Sequence, residues 1–368
     1  MIIQIQPWID DAELEELKRV IKSTFVTEST MTLEFEEMII RLTGAQHAIA
    51  MTNGTLALYA CLKALGIGPG DEVIVPDMTF IATANAVIMA GATPVFCDVE
   101  KDTFCISVES AAHKLTPKTN AVIPVHLYGQ SADMDKIMVF ARKHNLKIIE
   151  DAAQGIGVKF QGQHVGTFGD LGILSFYGNK TITCGEGGIV LTNDDELAKT
   201  CYKLKNHGRE KKGVFIHEDI GFNFSFTEMQ AAVGIAQMKK LSSIIQKKLE
   251  IRERYVAELS GLPRLRFCYI DARTEPVFWF TSFLSEDTEE LAAFLRDRYI
   301  QTRRFFYPLH LQPCYQKDEI IKGVNSGEFP ISEKIYREGL SLPSSYDLTG
   351  EQQAVVIKEI RNFYEYWD

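Results

Sequence analysis

Short runs of apolar, mostly β-branched residues recur along the first two thirds of the chain. Each run is continuous and does not alternate with polar residues, which is typical of strands buried on both faces of a sheet. The predicted strands are residues 72–76, 94–99, 121–126, 147–151, 171–176 and 188–193, and the helices predicted between them are residues 55–65, 81–90, 133–144 and 195–204. This alternation predicts βαβ units and a mostly parallel sheet, with ligands bound beyond the carboxyl ends of its strands.

The pattern changes after residue 227. Residues 227–260 have apolar side chains at helical spacing and predict one long helix. The strands predicted after it are residues 265–269, 277–282 and 300–306, and the helices are near residues 287–298 and 350–366. We therefore predict a large domain over residues 1–245 and a smaller α+β domain over residues 246–368.

The composition narrows the function classes. Of the 368 residues, 46% are hydrophobic and 24% are charged, which excludes a disordered or collagen-like chain. The formal net charge of −10 repels phosphate backbones, so we predict no nucleic-acid partner. The seven cysteines include no Cys-x-x-Cys pair, which predicts neither a disulfide framework nor a metal site. Without a signal-peptide pattern or an apolar run of about 18 residues, we expect a soluble cytoplasmic protein with no membrane partner.

One lysine stands between a predicted strand and a glycine-rich turn, in the segment Ser175-Phe-Tyr-Gly-Asn-Lys180-Thr-Ile-Thr-Cys-Gly-Glu-Gly-Gly188. Taken alone, Lys180 could be an ordinary surface lysine. A second polar residue, Asp151, ends the preceding predicted strand. It could cap the next helix, or it could hold a pyridinium nitrogen protonated through a charge-assisted hydrogen bond.

A third element lies at the start of a predicted helix, where Asn53, Gly54 and Thr55 follow one another. Such a helix start can bind an anion or can be a plain N-cap, and Ser175 could add a hydroxyl group to it. Pyridoxal phosphate (PLP) needs a lysine for its Schiff base, a protonated ring nitrogen and a phosphate site. The three elements together therefore predict a PLP enzyme.

The order of these motifs resembles that of the sugar-nucleotide aminotransferases, which are fold-type-I PLP enzymes with the aspartate-aminotransferase-like fold. The matching segments are NGTLAL, GDEVIVPDMTFIATANAV, GATPVFCDVE, VHLYGQ, IIEDAAQ, SFYGNKTITCGEGG and GFNF, with looser matches at RRFFYPLHLQPCY and LSLPSS. The resemblance implies an α/β large domain with a mostly parallel seven-stranded sheet flanked by helices, and a smaller C-terminal α+β domain.

The resemblance also implies roles for single residues. Lys180 and Asp151 would be catalytic: Lys180 would carry the Schiff base and Asp151 would face the pyridine nitrogen. The other cofactor-binding residues would be Gly54, Thr55 and Ser175 at the phosphate, Phe80 on the ring, Gln154 at the 3-hydroxyl and Asn223 at the phosphate of the neighbouring subunit's cofactor. Phe80 could equally be a core aromatic residue.

Three further residues are candidates for the substrate side. His310 and Tyr307 could touch the sugar or could pack the loop, and Arg303 could meet a diphosphate or lie on a solvated face. The family usually continues its Asn with Tyr-Arg-Met, whereas this chain continues Asn223 with Phe224, Ser225 and Phe226.

The reaction implied by the resemblance is transfer of an amino group from L-glutamate to the C4 ketone of a nucleotide-linked 4-keto-6-deoxy sugar, by a homodimer with shared active sites. The same resemblance implies a place in O-antigen or lipopolysaccharide biosynthesis. Alternatives are another nucleotide, a C3 ketone, or a non-transaminating PLP enzyme such as a sugar dehydratase or a desulfurase that uses Cys314. A non-catalytic relative is the remaining alternative, and the presence of Lys180 and Asp151 argues against it.

Overall fold

The computed structural model describes residues 1–211 and 213–367, with the backbone only at residues 366 and 367. Asp368, the last residue of the predicted small domain, lies outside the described residues. The helices are α1 (Asp11–Ser23), α2 (Thr30–Thr43), α3 (Gly54–Ala64), α4 (Ala82–Met89), α5 (Val108–His113), α6 (Met134–His144), α7 (Asp195–Lys205), α8 (Glu228–Leu259), α9 (Thr288–Arg296), α10 (Pro313–Gln316), α11 (Glu319–Val324), α12 (Pro330–Glu338) and α13 (Gly350–Trp367). The strands are β1 (His47–Met51), β2 (Glu72–Pro76), β3 (Thr93–Cys97), β4 (Thr119–Val122), β5 (Lys147–Asp151), β6 (Lys159–Phe160), β7 (Gln163–His164), β8 (Leu171–Ser175), β9 (Gly188–Thr192), β10 (Leu265–Phe267), β11 (Thr274–Glu275), β12 (Thr281–Ser285), β13 (Arg303–Arg304) and β14 (Gly339–Leu342).

The largest sheet has seven strands in the order β1-β9-β8-β5-β4-β2-β3. Strand β9 runs antiparallel to both of its neighbours, and the remaining neighbours run parallel. Strands β2 and β9 are buried along their whole length, because apolar cores cover both faces of the sheet. The prediction of a mostly parallel seven-stranded sheet flanked by helices is confirmed.

The apolar pattern finds six strands of this sheet to within a few residues but does not predict β1. The run of β1, His-Ala-Ile-Ala-Met, is rich in alanine, which has a low preference for strands. Strand β1 forms because it pairs along its full length with β9, and this pairing completes the edge of the sheet.

A second, antiparallel sheet has the order β10-β12-β14-β13, and a small three-stranded sheet has the order β11-β6-β7. The strand predicted over residues 277–282 is wrong in its first part, because β12 begins only at Thr281. Val277 donates its N–H to the Gly129 carbonyl at 3.2 Å, so this part of the chain is tied to the large sheet's loops instead. Likewise β13 is limited to Arg303–Arg304, within the longer strand predicted over residues 300–306.

Helix α8 connects the two sheets. It begins with a capping box formed by Thr227 and Gln230, and its first half packs on α1 and α2. Its second half contributes Tyr255 and Leu259 to the core beneath β12, β14 and α13. The predicted boundary at residue 245 falls inside this helix, and the division into two domains stays a prediction. No helix in the described part of the chain is long and apolar enough to cross a lipid bilayer.

Candidate active site

The carboxyl ends of β1, β5 and β8 meet at one edge of the large sheet, since these strands are parallel to one another. Gly188, the first residue of β9, pairs with both Met51 and Ser175. Asp151 pairs with Ile173, two residues before Ser175 on the same strand. The register therefore brings Asp151, Ser175 and the chain that follows Met51 into one row.

Helix α3 starts in this row, directly after β1. The Asn53 side chain accepts a hydrogen bond from the Leu56 N–H at 3.0 Å and caps the helix. A Cβ atom at Gly54 would lie only 3.2 Å from Ser175 Cβ, and one at Gly188 would lie 2.5 Å from the Asn53 carbonyl. The two glycines therefore let the helix start approach β8 and β9 closely. The cradle formed by the first turn of α3, with Gly54 and Thr55, and by Ser175 fits a phosphate monoester.

Asp151 is buried, and both of its carboxylate oxygens accept hydrogen bonds. Thr83 donates its hydroxyl to Oδ2 at 2.7 Å, and the Ala153 N–H donates to Oδ1 at 3.1 Å. The Thr83 N–H also donates to the Phe80 carbonyl at 3.2 Å, so Thr83 links the turn that carries Phe80 to the carboxylate. Thr83 is absent from the sequence prediction, because a threonine at a helix start normally indicates a cap. The Phe80 ring is 56% exposed at the edge of this site, 6.0 Å from the ring of Phe306.

Lys180 lies on the loop that leaves β8 and returns to β9. Hydrogen bonds from the Phe176 N–H to Gly187 and from the Cys184 N–H to Phe176, each 2.9 Å long, close the base of this loop. The Lys180 amine is half-buried and lies 4.3 Å from the ring centroid of Trp279, with no hydrogen bond or ion pair to any described residue.

The surroundings of Lys180 favour its neutral form. The pKa of its amine is lowered to about 8, mainly by burial; the Asp151 carboxylate raises the pKa, and the positive charge of Arg303 lowers it. A larger share of the amine is therefore neutral near neutral pH than for an exposed lysine. A neutral, unpartnered amine is the form that attacks a carbonyl carbon.

Gln154 is held by a strained turn. Its Oε1 accepts a hydrogen bond from the Tyr128 N–H at 3.0 Å, and Tyr128 has a φ of 51°, in the left-handed region. The Tyr128 ring stacks on Phe305 at 4.4 Å, and its hydroxyl accepts a hydrogen bond from the Phe306 N–H at 3.1 Å. Burial raises the pKa of the Tyr128 hydroxyl. The turn thus fixes Gln154 and connects it to the chain beside β13.

The three residues predicted for the substrate side have different surroundings in the structure. Arg303 stacks over Phe280 at 5.3 Å and lies near enough to Lys180 to lower its pKa. The Nδ1 atom of His310 lies at hydrogen-bond distance, 2.7 Å, from Asp77 Oδ2, and the His310 ring stacks on the Phe329 ring at 4.3 Å. Tyr307 is 39% exposed and meets Tyr336 edge-on. The charge of Arg303 therefore acts on Lys180, whereas no described contact joins His310 or Tyr307 to Lys180.

No contact among the described residues joins Asn223 to Lys180 or Ser175. Asn223 is exposed, its Oδ1 accepts a hydrogen bond from the Ser225 N–H at 3.3 Å, and its backbone forms an isolated bridge with Asn206. The following residue, Phe224, accepts a hydrogen bond from the Thr52 N–H at 3.0 Å, so this segment runs along the end of β1.

The described residues contain no group of three or more His, Cys, Asp or Glu side chains suited to a metal ion. They do fit PLP: a lysine with a lowered pKa, a buried carboxylate at a strand end and a helix start beside a serine hydroxyl share one edge of the sheet. PLP supplies an electron sink that stabilises negative charge at a substrate carbon.

Comparisons with known proteins agree with this geometry. Residues 7–361 match the model of the DegT/DnrJ/EryC1/StrS aminotransferase family. The chain is 38% identical to GDP-perosamine synthase of Escherichia coli O157:H7 over 98% of this chain and 97% of that protein, and 36% identical to GDP-perosamine synthase of Vibrio cholerae over 99% of each. The crystal structure of S. venezuelae DesV in complex with a ketimine intermediate superposes with a TM-score of 0.91 at 34% identity, covering 99% of both chains. The match over nearly its whole length makes this chain a member of the DegT/DnrJ/EryC1/StrS aminotransferase family, with PLP as its cofactor.

Proposed function

We propose that this protein transfers the amino group of L-glutamate to the C4 ketone of a GDP-linked 4-keto-6-deoxy sugar. The observation that carries the proposal is the Lys180 amine, which has a lowered pKa and no hydrogen bond or ion pair to the described residues, beside the row formed by Asp151 and Ser175. Similarity along nearly the whole chain to two GDP-perosamine synthases supports the nucleotide and the sugar.

In this proposal each candidate residue at the edge of the large sheet has a defined role. Lys180 would hold the cofactor covalently, and its amine, when free, would carry the proton that leaves or joins Cα of the amino donor. Asp151 keeps the ring nitrogen protonated, and Thr83 fixes the orientation of its carboxylate. Ser175 and the first turn of α3, with Gly54 and Thr55, bind the phosphate.

Two more residues place the ring. Gln154 would bind the 3-hydroxyl: its amide oxygen is held by the Tyr128 N–H, which leaves the side-chain NH₂ free to donate to the ring. Phe80, exposed at the edge of the site, would stack on the ring face.

Arg303 is the residue that we assign to the anionic part of the substrate. Its guanidinium lies over the Phe280 ring, and its charge acts on Lys180. A planar guanidinium binds a phosphate or a carboxylate through two parallel hydrogen bonds. Arg303 therefore suits either the diphosphate of the sugar nucleotide or a carboxylate of glutamate.

We also propose a homodimer that shares its active sites through Asn223. The loop before Asn223 exposes large apolar side chains, with Phe215 80%, Ile216 70% and Ile220 88% exposed. Monomeric proteins seldom expose such a set, and a second copy of the chain would cover it. The exposed Asn223 at the end of this loop could then reach the phosphate of the partner's cofactor.

The dimer is tested with mixed subunits. Two differently tagged chains, Lys180→Ala and Asn223→Ala, are produced together, and the mixed dimer is purified. Sharing predicts one intact site, with Lys180 from one chain and Asn223 from the other, and hence up to half of the wild-type activity. Activity no higher than that of the two parent dimers means that Asn223 serves its own chain.

The reaction is tested with glutamate and a panel of 4-keto-6-deoxy sugars linked to GDP, dTDP or UDP, by following 2-oxoglutarate. The proposal predicts the highest kcat/KM with the GDP-linked sugar, and mass spectrometry locates the new amine at C4. Preference for a dTDP- or UDP-linked sugar, or an amine at C3, overturns the substrate but leaves the aminotransferase. A small keto acid as the sole acceptor overturns the sugar-nucleotide proposal.

A further inference from the structure

Trp279 reaches the catalytic lysine from outside the large sheet. It lies on the segment between the Gly129 contact and β12 and is 3% exposed. Its indole Nε1 donates a 2.6 Å hydrogen bond to the carbonyl of Asn179, the residue next to Lys180. The face of the same ring lies 4.3 Å from Lys180 Nζ. One side chain thus contacts both the backbone beside the lysine and the lysine's amine.

Trp279 is itself fixed from behind. Lys248, buried on α8, donates to the Trp279 carbonyl at 2.9 Å and to the Ser344 carbonyl at 3.0 Å. Burial lowers the pKa of Lys248 to about 7, and both protonation states of its amine keep N–H donors for these carbonyls. The Phe280 ring stacks on the indole at 4.0 Å. The indole therefore has little freedom to follow the lysine if the lysine moves.

We propose that Trp279 is a positioning residue for Lys180: its indole N–H fixes the turn that carries the lysine, and its ring face receives the amine whenever the amine is not bonded to the cofactor. In an aminotransferase this free amine is required in every half-reaction, because it must move a proton at a defined atom. A flexible lysine in open solvent would sample many rotamers. The ring face limits the amine to one place.

The same contact affects the charge of the amine. An aromatic face attracts a cation, so Trp279 favours the protonated form of Lys180. Asp151 acts in the same direction, whereas burial and the charge of Arg303 favour the neutral form. Leucine in place of the ring keeps the amine covered by an apolar side chain but removes this attraction, so the pKa of Lys180 should fall, whereas changing a side chain that does not face the amine should leave the pKa unchanged.

The test measures how fast PLP attaches to the apoenzyme as a function of pH, by the visible absorbance of the covalent product. The attack requires the neutral amine, so the rate rises with pH through the pKa of Lys180. For Trp279→Leu we expect the midpoint of this rate–pH curve to fall by roughly 0.5–1.5 pH units. For Trp279→Phe, which keeps a weaker aromatic face and loses the N–H, we expect a smaller fall.

Phe278→Leu is the matched control, because Phe278 is the buried neighbour of Trp279 and its ring packs on Arg252. It should keep the wild-type midpoint. If Trp279→Leu does not fold, the comparison of Trp279→Phe with Phe278→Leu decides in the same way. Equal midpoints in the wild type and the Trp279 variants, or an equal shift in Phe278→Leu, overturn the inference. The inference rests on the proposed attachment at Lys180, which fails separately if Lys180→Ala still develops the covalent absorbance band.

Discussion

The two sides of the candidate site are built in different ways. On the cofactor side, Asp151 and Ser175 sit at strand ends, and their positions follow from the ladder of the large sheet. On the substrate side, Arg303 comes from a two-residue strand, and His310 from a short 3₁₀ helix. Backbone register determines the first set of positions. The second set depends on side-chain contacts between residues far apart in the chain.

His310 illustrates this difference. Its partner Asp77 directly follows β2, 233 residues earlier in the chain, and accepts hydrogen bonds from the His310 N–H and from Ser332. Residues at strand ends of one sheet can therefore be recognised from short segments of sequence. The residues on the substrate side can be identified only once the whole fold is known. The following variants test whether this division also separates catalysis from stability.

The largest effect is expected at Asp151, with its chain neighbour Glu150 as the matched control. Asp151→Asn should lower turnover by about a hundredfold or more, because the ring nitrogen is no longer held protonated. Glu150 is fully buried and accepts hydrogen bonds from Gly166, Phe168 and Gly169 N–H groups. Glu150→Gln should cost about 1–3 kcal/mol of folding stability and leave turnover within about threefold of wild type.

Turnover is followed by 2-oxoglutarate formation and stability by thermal unfolding of the apoenzyme. Equal losses of turnover in the Asp151 and Glu150 variants would mean that any damage to the end of β5 disturbs catalysis. The separate role of the carboxylate that faces the cofactor would then have to be abandoned.

A smaller effect is expected at Arg303, with Arg304 as its control. Arg303→Gln should raise KM for the sugar nucleotide or for glutamate about ten- to hundredfold, because a hydrogen bond from a charged donor to the substrate is lost. Arg304 donates to the Tyr336 and Arg337 carbonyls, each at 3.0 Å. Arg304→Gln should therefore change thermal stability and leave both KM values near wild type. Steady-state kinetics with each substrate varied in turn measures the difference, and similar KM changes in both variants would contradict it.

Arg303→Gln also has a predicted pH signature. The charge of Arg303 lowers the pKa of Lys180, so its removal should raise that pKa above about 8. The neutral amine then appears only at higher pH, and the rate of PLP attachment to the apoenzyme should shift toward higher pH. This is the opposite direction from the shift expected for Trp279→Leu.

The smallest catalytic effect is expected at His310. Its Nδ1 is 2.7 Å from Asp77 Oδ2, and its ring stacks on Phe329, so the contacts indicate a packing role. His310→Gln should lower the free energy of unfolding by about 1–3 kcal/mol. Both KM values should stay within about threefold of wild type. A large rise in KM for the sugar without a change in thermal stability would instead assign His310 to the substrate.

The sequence predicts most of the large sheet and the positions of the residues that we propose to bind the cofactor, because continuous apolar runs end at polar residues on the same edge. Thr83, Trp279 and Lys248 carry no such signal. Thr83 resembles a helix cap, and Trp279 lies in a run that the apolar pattern assigns to a strand. Lys248 resembles an exposed helical lysine, and its burial becomes evident only where α8 meets the Ser344 carbonyl. The roles of all three residues depend on contacts between segments that are far apart in the chain.

The pairing of β1 with β9 also determines when the site can form during synthesis. His47 pairs with Thr192, and Gly188 is the residue that brings the start of α3 beside β8. At about 5–20 residues per second, roughly 7–30 seconds separate the translation of these two strands. A nascent chain that ends at Lys180 carries the lysine and the residues of the phosphate cradle but not β9, the strand that lies between β1 and β8. The proposed cofactor site can therefore be complete only after β9 has been translated.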